Sequence, residues 1–293
     1  MLGALIGDIA GSIYEVKEIE AKKSKQSRTY NDRIQIMNQD TPLFTEESSY
    51  TDDSVLTAAI ADSLLNHKPY EQVLREYGAR EVSLGLDRYG RSRFGKRFVE
   101  WLSKTERGYS FGNGAAMRVS PIGFLCKNCD EVIVESYLSS IPSHNNEQAI
   151  TAAQAVAYTI YLAKHHYDKT IIKEEIEKLF SYDLNFDIES LRKNYTFSSK
   201  AISSIPQAIY CFLVSSDFEN AIRTAISIGG DSDTIACITG AIAEAYYGVP
   251  KHLIYQVEPY IPKYINTIMK QFYEELRKEN EKWNQTYMKL LKY

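Results

Sequence analysis

Apolar residues recur at helical spacing along almost the whole chain, and the two-residue alternation of a half-buried strand is scarce. Val55, Leu56, Ala59, Ile60, Ser63 and Leu64 keep an i, i+4, i+8 rhythm. Residues 151–164 (TAAQAVAYTIYLAK) are apolar nearly all round, as in a helix at the middle of a bundle. Stretches 201–214 and 218–228 predict two further helices, and 132–134, the strongest β-type run, fits a helix equally well. Within 235–247, Ala236, Gly240, Ala241, Ala243 and Ala245 would let another helix approach closely. Ile265, Ile268, Met269, Phe272 and Leu276 mark a last amphipathic helix, with Glu274, Glu275, Arg277 and Lys278 on its other side. The expected fold is all-α, a compact single-domain orthogonal helical bundle over 1–293. Pro121, Pro142, Pro206, Pro250 and Pro262 punctuate helix ends or loops rather than a linker. Residues 21–50 are polar and lack a sustained period, which reads either as a mobile lid or as a surface loop without a role.

Two short acidic stretches stand out against this background, Thr51-Asp52-Asp53-Ser54 and Gly229-Gly230-Asp231-Ser232-Asp233-Thr234. Each opens a predicted helix. Asp, Ser and Thr are preferred N-cap residues, so either stretch alone reads as a cap. One capping residue is enough for a helix, however, and each stretch supplies paired carboxylates with hydroxyls beside them. If the fold brings the two helix starts together, four carboxylates converge. At an effective dielectric of 20, two like charges about 4 Å apart repel by roughly 4 kcal/mol. Mg²⁺ or Ca²⁺, hard cations that prefer oxygen ligands, would relieve that repulsion. Capping and metal binding are compatible, because a helix N-terminus also favours the ionised carboxylate.

Three further segments carry candidate chemistry. In Gly3 to Glu15 (GALIGDIAGSIYE), glycines every four residues leave one helix face bare for close packing, and Glu15 is expected at the helix C-terminus. Ser110-Phe111-Gly112-Asn113-Gly114 precedes a predicted helix containing Met117 and Arg118, and a glycine-rich turn at a helix start suits a phosphate. His144 precedes the buried 151–164 helix. A formal charge of −4 without a sustained basic run argues against nucleic acid as the main partner. No apolar run approaches the roughly 20 residues of a membrane helix, and the N-terminus, with Asp8 and no basic n-region, does not read as a secretory signal. Cys211 and Cys237 read as buried thiols, and Cys126 with Cys129 lacks the second pair that a zinc site needs. The expected location is cytoplasmic.

Taken together and in chain order, GDIAGSIYE (7–15), YTDDS (50–54), SFGNGAAMRVSPIG (110–123), SHNN (143–146) and GGDSDTIACITGAIAEAYYG (229–248) resemble the ADP-ribosylglycohydrolase family. The likeness runs from Leu2 to near Pro250, and its last motif is the most specific. It implies an all-α fold with a dinuclear cleft holding two Mg²⁺ ions, Mn²⁺ being a substitute, and cleavage of the bond between ADP-ribose and an acceptor. By that resemblance Thr51, Asp52, Asp53, Asp231, Asp233 and Thr234 are metal ligands, and Glu15 lies near the scissile bond. Ser110, Phe111, Gly112, Asn113 and Gly114, with Met117 and His144, hold the diphosphate and nearby ribose. Tyr89 and Gly90 match, more weakly, a glycine-rich loop around the distal ribose, here interrupted by Arg91 and Arg93. Those arginines contact phosphate or acceptor, or face water.

The residues suit that chemistry in their own right. Hydrolysis at C1″ of a ribose builds oxocarbenium character and needs an activated water. Glu15 is expected as acid or base, and Asp53 or Asp233 as the group that orients the water. The substrate would be an ADP-ribosylated protein or small molecule, with nucleic acid entering only as an ADP-ribosylated acceptor, and the chain would act as a monomer. Arginine, serine, nucleic-acid and ester linkages all stay open. Two rival readings are a phosphatase built on Asp231 and Asp233, which would need a parallel strand upstream, and a silent ADP-ribose binder on the same fold.

Overall fold

A computed structural model describes residues 1–24, 29–87, 90 and 92–279. Among these, fifteen α-helices and four short 3-10 turns occur with no strand; isolated bridges pair Tyr109 with His144 and Gly112 with Lys200. In chain order the helices are α1 (Leu2–Ser24), α2 (Tyr30–Ile34), α3 (Asp52–Asn66), α4 (Tyr70–Ser83), α5 (Lys96–Leu102), α6 (Ser120–Leu125) and α7 (Cys129–Ser140). They continue with α8 (Glu147–Lys164), α9 (Lys169–Phe180), α10 (Ile188–Asn194), α11 (Ile205–Leu213), α12 (Phe218–Ser227), α13 (Ser232–Tyr247), α14 (Lys251–Val257) and α15 (Lys263–Glu279). Side-chain oxygens of Asn128, Asn146, Asp168, Asp187 and Asp217 cap α7, α8, α9, α10 and α12. These are ordinary caps, satisfying N–H groups that no helical turn can reach.

At the centre, α1 lies along α13 with α3, α8 and α12 around them. The contact is backbone on backbone. A Cβ on Gly7 would sit 1.9 Å from Ala236 O, and one on Gly11 would sit 2.5 Å from Ser232 O. No L side chain fits there, so the four-residue glycine spacing is a packing requirement. On the other face of α1, Leu2, Leu5, Ile6 and Ile9 are fully buried in the apolar core.

Three expectations change. First, α1 continues to Ser24, so Glu15 is mid-helix rather than at a C-terminus, and the end-of-dipole environment expected for it does not arise. Second, the helix predicted around Met117 and Arg118 starts at Ser120; the turn Asn113–Ala115 is 3-10, and Pro121 sits in the first turn of α6. Third, the described part of 21–50 is not a free lid. It holds α2 and a 3-10 turn, Gln35–Met37. The buried Arg33 Nη1 donates to Tyr195 O (2.7 Å) and Ile228 O (3.0 Å), while Arg223 Nη1 donates to Ile36 O (2.7 Å) and Thr41 O (2.9 Å). Two arginines thus fasten a segment that has no hydrophobic period of its own.

The backbone contact makes a sharp prediction. Gly7→Ala should lower unfolding free energy in urea by about 3 kcal/mol or more, because rigid backbone must move to admit the methyl. Gly78→Ala, whose Cβ meets only the side chains of Leu102 and Phe98, should stay within about 1 kcal/mol of the parent, the helix-propensity gain offsetting the crowding. Equal effects would contradict the backbone contact.

Candidate active site

The two acidic helix starts meet in space. Thr51 is the N-cap of α3, and its Oγ1 accepts the Asp53 N–H at 3.3 Å. Gly229 and Gly230, at φ 76° and 79°, make a left-handed turn that delivers Asp231 to the start of α13. Thr234 Oγ1, in the first turn of α13, donates to Asp53 Oδ2 at 3.3 Å, joining the two helix starts directly. Asp231 stands at the N-cap position yet makes no capping hydrogen bond. Its carboxylate instead accepts Asn113 Nδ2 at 2.7 Å. For Asp231 the simple capping explanation therefore fails.

A fifth carboxylate, missed in the sequence, completes the floor. Asp8, fully buried on α1, accepts the backbone N–H of Thr51 (3.0 Å) and of Ser54 (3.1 Å), the Thr51 hydroxyl (2.7 Å) and the Ser54 hydroxyl. It thus caps α3 from another helix. The visible signal was a lone carboxylate inside the apolar glycine stripe. Glu15 is the next step of that stripe after Gly11, on the same helix face, which carries it to the start of α13.

Ligand oxygens of Asp8, Asp53 and Asp233 lie within 4.8 Å of one another, and so do those of Glu15, Asp231 and Asp233. Asp53 Oδ1 is buried and has no hydrogen-bond partner among the described residues. An orphaned carboxylate oxygen within a ring of others is a donor set for a hard cation. Burial, then the charges of Asp8 and its neighbours, pushes the carboxyls of Asp52 and Asp53 well above the usual range. Burial, then Glu15 and Asp231, does the same to Asp233. Burial raises Asp231 to about 6 against the help of Asn113. Asp8 is raised by burial although Ser54 and Thr51 hydrogen bonds oppose it.

Glu15, Asp52, Asp53, Asp231 and Asp233 line a cleft of about 930 Å³, as do Thr51, Thr234, Ser110, Phe111, Gly112, Asn113, Gly114, Met117 and His144, while Asp8 is buried behind them. The turn at 110–114 is not an open row of donors. Ser110 Oγ takes the Gly112 N–H and Ser199 O takes that of Asn113. Away from the carboxylates, Lys96, Arg97, Lys104, Arg107 and Lys200 outnumber Asp87, Glu100 and Glu106 and give the cleft a net basic rim. Phe111 lies between two of these, 5.2 Å from the Arg97 guanidinium and 6.0 Å from Lys200 Nζ. That rim was not legible as a motif, since its residues come from separate loops and helices. Gly90 is exposed and does not line the cleft, while Tyr89 and Arg91 fall outside the described residues. Arg93 does line it, over the Tyr50 ring at 4.9 Å and 3.7 Å from the buried Glu81 carboxylate. Among the described residues, no helix is long and apolar enough to cross a membrane.

Comparison with known proteins bears on the family and the fold. The sequence model of the ADP-ribosylglycohydrolase family matches residues 1–282. Human ADP-ribosylhydrolase ARH3 is 29% identical, over 85% of this chain and 84% of its own. The bovine ARH3 is 27% identical over 85% and 84%. A solved structure described as an ADP-ribosylglycohydrolase-related protein complex superposes with a TM-score of 0.60 at 19% identity, covering 78% of this chain and 82% of that one. At that identity it supports the fold alone.

The carboxylate cluster predicts a pH-dependent response to cations. Without metal, groups whose native pKa is raised stabilise the fold fully below their unfolded pKa, and that contribution is lost as pH rises through the native one, about 6 for Asp231. Cations compete with those protons. Millimolar Mg²⁺ should therefore raise the melting temperature more at pH 8 than at pH 6, relative to chelator. A melting temperature indifferent to Mg²⁺ at both would contradict a cation site.

Proposed function

Because the match runs through residues 1–282, the chain belongs to the ADP-ribosylglycohydrolase family, and we propose that it removes ADP-ribose from an acceptor by hydrolysing the C1″ glycosidic bond with the help of two Mg²⁺ ions. The observation that carries this reading is the meeting of the α3 and α13 starts in a cleft with an acidic floor and a basic rim. Asp52, Asp53, Asp231 and Asp233, with the Thr51 and Thr234 hydroxyls, would hold the ions. When bound, such ions supply Lewis acidity and cancel the mutual repulsion of the carboxylates.

The chain's own groups then divide the remaining work. Asn113 fixes Asp231 through a 2.7 Å hydrogen bond, and Asp8 fixes the Thr51 turn. The 110–114 turn, Met117 and His144 face the ADP-ribosyl moiety, and the basic rim suits its diphosphate. Asp53 or Asp233 orients a water toward C1″. Glu15, half-buried in the cleft wall, accepts a proton from that water or donates one to the departing acceptor. Hydroxide adds to C1″ as the acceptor's bond breaks, and the acceptor leaves with the proton. A protein side chain or a small ADP-ribosylated molecule fits as acceptor.

Release of free ADP-ribose from a panel of arginine-, serine-, nucleic-acid- and ester-linked substrates, with Mg²⁺ and with chelator, tests this. At least one linkage should be cleaved in Mg²⁺ alone; binding of ADP-ribose without any cleavage would instead indicate a silent binder. Glu15→Gln should lower turnover about 100-fold or more while leaving ADP-ribose affinity nearly unchanged. Near-parental turnover would remove Glu15 from the acid–base role.

A further inference from the structure

Behind the cleft wall that carries His144 lies a fully buried cation with no use in the chemistry above. Arg118, in the turn before α6, has no carboxylate partner among the described residues. Its Nη2 donates to Ser139 O and to Ser143 Oγ, each at 2.9 Å, whereas Nε and Nη1 make no hydrogen bond with any described residue. Ser143 Oγ in turn lies 2.8 Å from His144 Nδ1. This chain of contacts has a direction. A guanidinium only donates, and a serine hydroxyl has one proton. Were His144 Nδ1 also a donor to Ser143 Oγ, the hydroxyl proton of this nearly buried serine would have no acceptor among the described residues, which folded proteins avoid. The hydroxyl therefore donates to Nδ1, and the proton of the neutral ring sits on Nε2.

Nε2 is the ring nitrogen that Ser143 leaves open. His144 lines the cleft, and its Nε2 lies 3.0 Å from where a Cβ on Gly114 would stand. Among the described residues it has no hydrogen-bond partner in the protein. We propose that Arg118 and Ser143 are positioning residues that lock His144 as its Nε2–H tautomer, so that the ring presents a neutral donor to an anionic oxygen of the ligand in the cleft. That this oxygen belongs to the diphosphate of an ADP-ribosyl group rests on the function proposed above; the tautomer itself does not. Burial, and then the Arg118 charge, holds the ring's pKa well below its usual value, in keeping with an uncharged imidazole. A ring already protonated at Nε2 cannot take a proton there, so His144 binds and orients and does not serve as the base.

Long-range ¹H–¹⁵N correlation spectra resolve the two nitrogens of each of the five histidines, and the His144 signals are identified by their loss in His144→Gln. In the parent protein His144 should show a protonated, pyrrole-type Nε2 and an unprotonated, pyridine-type Nδ1. A predominant Nδ1–H form there would overturn the proposal without any variant. In Ser143→Ala the contrast should shrink as the other tautomer becomes populated, and ADP-ribose affinity by calorimetry should fall about threefold or more. Ser143→Thr, which keeps the hydroxyl, should restore both. His144→Gln, with an amide N–H near the Nε2 position, should bind ADP-ribose more tightly than His144→Ala. Unchanged affinity in a folded Ser143→Ala would refute the positioning role. An Nε2–H signature in a parent protein that fails to bind ADP-ribose would uphold the tautomer lock and defeat the functional reading instead.

Discussion

The approach of two backbones, α1 against α13, governs where every acidic group of the cleft floor can stand. Side chains normally keep helix axes 8–10 Å apart; the glycine stripe on α1 removes them on one face. Because Gly11 packs on Ser232 and Asp233, Glu15, one further step along the stripe, is carried to the start of α13. Asp8, next to Gly7, is presented instead to the start of α3. A single helix thus sets the registers of both acidic helix starts, and a change of its contact with α13 would move the carboxylates together.

That placement creates an electrostatic liability. Carboxylates buried side by side resist ionisation both from lost hydration and from one another. Local devices offset part of it: the N-termini of α3 and α13, the four hydrogen bonds received by Asp8, and the amide of Asn113 on Asp231. Asp53 Oδ1 has no such partner. A cation bound there would cancel that repulsion, so affinity for cations and native stability would be linked at the same atoms.

Much of this was legible in the sequence, for identifiable reasons. Helices with apolar or small-residue periods, such as α8, α13 and α15, declare themselves because their burial is written at regular spacing. The two acidic helix starts were visible because each carries more carboxylate than a cap requires. Asp8 was not, since a lone Asp in an apolar helix has no pattern, and its meaning lies in two N–H groups and two hydroxyls more than forty residues away. The position of Glu15 within α1 was misjudged because the polar continuation from Lys17 to Ser24 looks like a helix end, although its charged residues are compatible with helix. The straps at Arg33 and Arg223 escaped notice for a related reason: a side chain that bonds distant carbonyls leaves no periodic trace. Likewise, SHNN showed His144, but only the fold shows Arg118 and Ser143 behind it.

Mn²⁺ anomalous diffraction from loaded crystals tests the central claim most directly, because it locates the cations without reference to turnover. Two peaks are predicted between the first turns of α3 and α13, flanked by Asp53, Asp231 and Asp233. No peak there, or peaks bound only elsewhere on the molecule, would contradict the account.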